Sequence, residues 1–245
     1  MNIITEFSEF GRCNPPDLWN NDMPSKLNRL YYIHGGTGGY ICNGKRFDFE
    51  AKRLYLLPAF AGVHVYTSIT DKIDHTYASF EMIPPILSKE VISIDPHAKP
   101  EIESALGVFI SLCRNKIAKK DFEMIKYLKH TCIYLSHKIA EENGSEVLKD
   151  ASIIRSLEIM HERISENISI SEIASEIGMS TDGFIRKFKS YIDQTPYEYL
   201  RGVKVLVALK MRELGERWDV IAEKCGYADQ TSLLHAINSV RNKRQ

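Results

Sequence analysis

Thr181, Asp182, Ile185, Arg186 and Lys189 fall at the spacings of three and four that share one side of a helix, while Phe184 and Phe188 fall on the other. The outer side is equipped for directional hydrogen bonding. A guanidinium such as that of Arg186 presents two parallel donors, which match paired acceptors such as guanine O6 and N7. Lys187 and Lys189 offer point charges of the kind that meet phosphate oxygens. In an ordinary soluble domain the same cations would simply form a solvated helix face.

Three other groups of residues invite chemistry. His34, His64 and His75 are possible metal ligands, but no H-x-H spacing occurs and no carboxylate is placed to complete a set, so no metal is assigned. Gly35, Gly36, Gly38 and Gly39 resemble a phosphate loop in composition only. No G-K-[ST] and no helical pattern follow them, so they are read as a turn. On strands, His64 with Tyr66 and His75 with Tyr77 are pairs of equal parity, so each pair shares a sheet face. Such pairs line either a small-molecule pocket or an ordinary barrel core. The five cysteines (Cys13, Cys42, Cys113, Cys132, Cys225) are scattered, without a C-x-x-C pair, and read as reduced, mostly buried thiols.

The helix that would carry Arg186 has well-defined neighbours. Ser169 with Glu172 forms a capping box, Ser180 caps the next helix, and Thr195 with Glu198 forms a second box with Pro196 at the first helical position. Between the boxes, small Ala174 permits close helix approach and Gly178, four residues on, permits a tight turn. This is helix-turn-helix spacing. It recurs 48 residues later, where Ala222 matches Ala174 and Gly226 matches Gly178. The intervening stretch, 197 to 214, has helical composition and can hold the two units at a fixed distance.

Upstream, short β-like runs at 30–33, 53–57, 63–67 and 75–77 alternate with turns, and Asn43-Gly44 is a two-residue hairpin signal. Residues 101 to 119 and 121 to 142 switch to helical periodicity. In the second, Phe122, Ile125, Leu128, Cys132, Leu135 and Ile139 form one apolar stripe. The stripe packs on the chain's own barrel, or meets its copy in a homodimer, or both. Polar residues 141 to 146 break the pattern and serve as the linker between domains 1–143 and 144–245. The fold class is α+β: an N-terminal β-barrel with a helical appendage, then an all-α domain with two helix-turn-helix units. Formal charge balances at 32 basic and 32 acidic residues. Residues 1–150 carry 18 against 19 and residues 151–245 carry 14 against 13, so nucleic-acid contact must come from a local patch. No basic leader and no apolar run of membrane-spanning length occurs, which makes the cytoplasm the expected location.

In order and spacing, I-A-x-x-x-G-[MY], the stretch ending at Lys189, T-P-x-E-Y-L and the later G-Y-x-D-Q resemble the DNA-binding domain of AraC/XylS regulators over roughly residues 155 to 240. The first 85 residues look like the cupin-type sensing domain of that class. The resemblance implies a cytoplasmic transcription regulator, an activator acting on double-stranded promoter DNA and with RNA polymerase, with no enzymatic activity and no cofactor. It places Thr181, Asp182, Ile185 and Arg186 of the first recognition helix, and Gln230, Thr231 and His235 of the second, in major grooves. Gln230 is suited to adenine N6 and N7. Lys187, Lys189, Arg201, Lys204, Arg241, Lys243 and Arg244 are assigned to phosphates. It also implies a small-molecule effector in the barrel, with His64, Tyr66, His75 and Tyr77 as its lining. Three positions depart from the family pattern: Leu233, His235 and Ile237 stand where Phe, Arg and Phe are usual. Gln245 precedes the usual family ending, so weaker contact by the second unit is expected. Two alternatives remain: a regulator that acts through protein contacts without its own DNA binding, and a cupin-type enzyme.

Overall fold

The computed structural model describes residues 3–13, 27–59, 63–114, 121–213 and 215–242. The chain divides into two compact units, Met1–Leu148 and Lys149–Gln245.

The first unit has a five-stranded antiparallel sheet in the order β1-β7-β2-β5-β9. Its strands are β1 (Ile3–Cys13), β2 (Asn28–Gly35), β5 (Leu54–Leu57), β7 (Asp74–Ile83) and β9 (Ile92–Ile94). A three-stranded sheet orders β4 (Lys45–Asp48), β3 (Gly38–Cys42) and β6 (His64–Thr67) with β3 in the centre. Asn43 and Gly44 turn β3 into β4 with positive φ at both residues, 51° and 73°, as the hairpin signal requires. The short pair β8 (Ile86–Leu87) and β10 (Glu146–Val147) completes the strands. The run from Gly35 to Gly39 ends β2 and begins β3, so it is a strand connection and not a phosphate loop.

Alternation along β2 and β5 explains why both strands are apolar throughout. Tyr31, Ile33, Tyr55 and Leu57 point to one core, which they share with Cys42, Val65 and Ile73 on the side of the small sheet. Leu30, Tyr32, Leu54 and Leu56 point to a second core, built with α1 (Pro100–Arg114) and α2 (Phe122–Glu142). A sheet covered on both faces loses the polar-out residues that would mark an exposed side. The stripe of α2 is settled by the same packing: Leu128, Cys132, Leu135 and Ile139 are buried in this core, while Phe122 remains 77% exposed. Residues 115–119, the end of the first expected helix, lie outside the described residues. Asp121 caps α2 through the Glu123 and Met124 amides, and Asn143 ends it before the chain enters β10.

The second unit is all helical: α3 (Ala151–Glu162), α4 (Ile170–Glu176), α5 (Thr181–Ile192), α6 (Pro196–Glu213), α7 (Trp218–Lys224) and α8 (Gln230–Asn242). The long helix α6 packs on α5 and also on α7 and α8, so it carries both short-helix pairs. Among the described residues no helix is long and apolar enough to cross a membrane.

Candidate nucleic-acid interface

Both helix pairs turn where the glycines stand. Gly178 and Gly226 have φ of +71° and +67°, a region that costs a side-chain-bearing residue about 1–2 kcal/mol. Ala174 and Ala222 are buried in the helix that precedes each turn, which lets the second helix of each pair approach closely. Local hydrogen bonds fix the starts. The Glu172 amide donates to Ser169 Oγ at 3.2 Å and the Ser169 amide donates to the Glu172 carboxylate at 2.7 Å. The Gly183 amide donates to Ser180 Oγ at 3.2 Å. Thr195 and Glu198 exchange the same pair of bonds at the start of α6.

These constraints orient α5. Phe184, Phe188 and Ile192 are buried, with Phe188 set edge-on between Phe184 (centroids 5.5 Å) and Tyr199 of α6 (5.6 Å). The opposite side carries Asp182, Arg186 and Lys189 exposed, with Thr181 and Ile185 half-buried at its margins. Three of the five residues singled out on this helix, Asp182, Arg186 and Lys189, therefore sit together on the outward face, and Asp182 is the acid of the first turn.

On α8, Gln230, Thr231 and His235 are exposed, and Leu233 and Ile237 are buried in a core with Val205, Ala208, Ile221 and Cys225. The smaller side chains at 233 and 237 thus still fill the apolar positions of the helix. Asp229 is kept below its ordinary value by hydrogen bonds from the Ser232 backbone and side chain and from the Thr231 backbone, and its carboxylate accepts the Ser232 amide at the start of α8.

Two of the cations assigned to phosphates are committed elsewhere. Lys187 donates to Asp150 Oδ2 at 2.8 Å and to Ser152 Oγ at 3.0 Å, tying α5 to the start of α3. Lys204 is 7% exposed, and its ammonium donates to the Glu166 carbonyl at 2.8 Å. Lys189 is free to reach solvent and Arg201 is half-buried. Lys243, Arg244 and the side chain of Arg241 lie outside the described residues. Neither commitment has a sequence signal, because Lys187 meets Asp150 across 37 residues and Lys204 meets Glu166 across 38.

Asp150 is also the N-cap of α3, accepting the Ser152 and Ile153 amides. Burial pushes its carboxyl upward, but the bonds from Lys187, Ser152 and Ile153 and the charge of Lys187 outweigh burial and hold it at about 2. A carboxylate depressed in the folded state stabilises above its unfolded value of 3.8, and that stability is lost as pH falls toward about 2. Asp150→Asn is therefore expected to lower the stability of this unit at pH 7 by about 1–2 kcal/mol, allowing for solvent screening. Melting curves of the two proteins should converge as pH falls from 4 to 2.

In the first unit the histidines lie on three different faces. His75 is buried with Tyr31 (4.9 Å) and is beside Tyr77 (5.4 Å), on the side of the core between the sheets. His64 is exposed and Tyr66 is half-buried on the outer face of the small sheet, since Val65 between them is the residue that enters the core. His34 lies 2.8 Å from Thr76 Oγ1 and edge-on to Tyr32, toward the helices. Parity pairs the residues correctly, but His64 and Tyr66 face away from the interior assigned to them. The hydroxyl of Tyr66 instead lies 2.6 Å from Asp48 Oδ1, and its ring covers Gly39, where a Cβ would come within 2.4 Å of that hydroxyl.

Residues 160–201, spanning α4, α5 and the first turns of α6, match the model of bacterial regulatory helix-turn-helix proteins of the AraC family. No curated protein sequence matches the chain. The fold is similar to that of ToxT from Vibrio cholerae, with a TM-score of 0.63 at 12% identity over 96% of this chain and 95% of that one. ToxT of strain O395 bound to (E)-4-(8-methylnaphthalen-1-yl)but-3-enoic acid is similar at a TM-score of 0.62, with 12% identity and the same coverages of 96% and 95%. Unsaturated fatty acid-bound ToxT from strain SCE256 is similar at 0.58, with 11% identity over 98% and 91%. From the helix-turn-helix match over residues 160–201 within a two-unit α+β architecture, the chain is a DNA-binding transcription regulator that carries a helix-turn-helix segment of the AraC-family type.

Proposed function

We propose that the chain binds promoter DNA sequence-specifically, with α5 in one major groove and α8 in the next, and that its first unit answers to a small molecule. The observation that carries the DNA reading is the outward face of α5: Asp182, Arg186 and Lys189 are exposed away from a fully buried pair of phenylalanines, with Thr181 and Ile185 at the edges of that face. Arg186 supplies base readout and Lys189 meets backbone phosphate. On α8, Gln230, Thr231 and His235 make a weaker second contact.

For the effector, ToxT structures carrying an unsaturated fatty acid and a naphthyl butenoic acid make apolar carboxylic acids the class to try first. His75 and Tyr77 remain the interior candidates for its lining. A homodimer through α2 would use the side where Phe122 and Tyr127 are exposed, since the apolar stripe is occupied within the chain. RNA polymerase and a cytoplasmic setting belong to the same reading. A second reading, action through protein contacts, is favoured by one observation: the internal commitment of Lys187 and Lys204 leaves fewer cations for phosphates.

Fluorescence anisotropy of the full chain with its own upstream promoter DNA, at two salt concentrations, tests both. Sequence-selective binding is expected, weakened by Arg186→Ala by about 1–3 kcal/mol, or roughly five- to 150-fold. Equal, weak and purely salt-dependent binding by both proteins would favour protein contacts instead.

A further inference from the structure

The second unit holds a cleft of about 780 Å³ between its two helix-turn-helix pairs. Its apolar walls include Ile168, Ile170, Leu200 and Ala236, and its polar groups include Arg201, Lys204, Tyr197 and Tyr227. No Asp or Glu among the described residues lines it. Among the described residues, neither Arg201 nor Lys204 forms an ion pair; Lys204 has only the Glu166 carbonyl, and its ammonium lies 5.7 Å from the centroid of the Tyr227 ring. Arg201 Nε and Tyr227 Oη are both buried without a hydrogen-bond partner. Two cations and a phenol thus surround one space with donors to spare and no acceptor of opposite charge, which is an unfavourable arrangement unless something enters.

We infer that this cleft is a binding site for a small organic carboxylate with an aromatic body. The carboxylate meets Arg201 and the Tyr227 hydroxyl, and turning either side chain into the cleft breaks no hydrogen bond at the orphaned atom. The ring lies along Leu200 and Ile168, beside Tyr197, whose ring already has the Arg201 guanidinium 5.6 Å from its centroid. A bare inorganic anion would leave the apolar walls uncovered, and a neutral ring would leave the cations unpaired. Gly226 keeps the floor open: a Cβ there would come within 2.8 Å of both the Glu166 carbonyl and the Lys204 ammonium.

One wall belongs to α8 through Ser232, His235 and Ser239. An occupant therefore touches the helix assigned to the second groove, and its effect on DNA rests on the proposed DNA-binding reading, whereas its binding does not.

Calorimetric titration of the full chain with biphenyl-4-carboxylate, without DNA, tests the site. Saturable binding is expected, at least tenfold tighter than that of biphenyl-4-methanol or inorganic phosphate. Arg201→Met is expected to weaken it at least tenfold and Arg201→Lys to restore part of the loss. Ser239→Trp, which fills the cleft from a partly exposed position, is expected to abolish it while leaving the melting temperature in place. No saturable binding, equal binding of the alcohol, or binding unchanged in Arg201→Met and Ser239→Trp would overturn the site. In a separate anisotropy titration, saturating carboxylate is expected to weaken promoter binding at least tenfold. Unchanged affinity would overturn the link to α8, while absence of DNA binding without any ligand would be a failure of the DNA reading alone.

Discussion

Phe188→Ala is expected to destabilise the helical unit by about 3–5 kcal/mol and to abolish promoter binding, although it removes no group that reaches DNA. Phe188 is fully buried and its ring fills the space between Phe184 and Tyr199, so truncation leaves a cavity where α5 docks on α6. Tyr199 is in turn held by His161 of α3, whose Nε2 lies 3.1 Å from the phenol oxygen, which limits how far the surroundings can collapse. A loss of this size is a large share of the 5–15 kcal/mol that a domain usually has in hand. Arg186→Ala on the same helix supplies the contrast. Its side chain is exposed, so its melting temperature should stay near that of the parent chain while selective binding falls. Denaturant melts of both variants beside DNA titrations separate the two effects, and a Phe188→Ala protein that melts normally would show that α5 is not anchored by this ring.

The contrast also explains which parts of the molecule could be read from the sequence. Ser169 with Glu172, Ser180, Thr195 with Glu198 and Asn43-Gly44 act within four residues, and each produced the cap or turn that its chemistry requires. Phe184 and Phe188 needed only the helical period to be placed inward. Long-range pairing left no such mark. Strand β1 is defined by its register with β7, Phe10 opposite Ala78 and Cys13 opposite His75, and bulges interrupt its alternation. The period of two says that His64 and Tyr66 share a face, but which face is set by Val65 entering the core opposite Tyr40. The same holds for the cations. Lys187 and Lys204 have the composition of phosphate ligands, and only the approach of Asp150 and of the Glu166 carbonyl takes them out of that role. The cleft of the second unit draws on four separate stretches of chain, so no local pattern could have disclosed it.

Acidification from pH 6.5 to 4 is expected to withdraw about 3 kcal/mol from the first unit through one residue, His75. Its side chain is 1% exposed, and burial lowers its imidazole to about 4 from the ordinary 6.5, with the Asp74 carboxylate and a hydrogen bond to the Cys13 backbone opposing the shift. The folded state therefore holds His75 neutral, while the unfolded chain takes up a proton as pH falls below 6.5. Between those two values the unfolded state binds more protons, so stability declines steadily as acid is added, and it is fully present above 6.5. The position makes the effect consequential: His75 pairs with Ile33 on the central strand β2 and stacks near Tyr31 and Tyr77, in the core between the two sheets. His75→Phe retains a ring between the two tyrosines and removes the titration. Urea denaturation of both proteins from pH 7 to pH 4 should show the parent chain losing about 3 kcal/mol more than the variant. Equal losses would mean that the imidazole takes up its proton without disturbing this core, and that the acid sensitivity of the unit lies in its carboxylates.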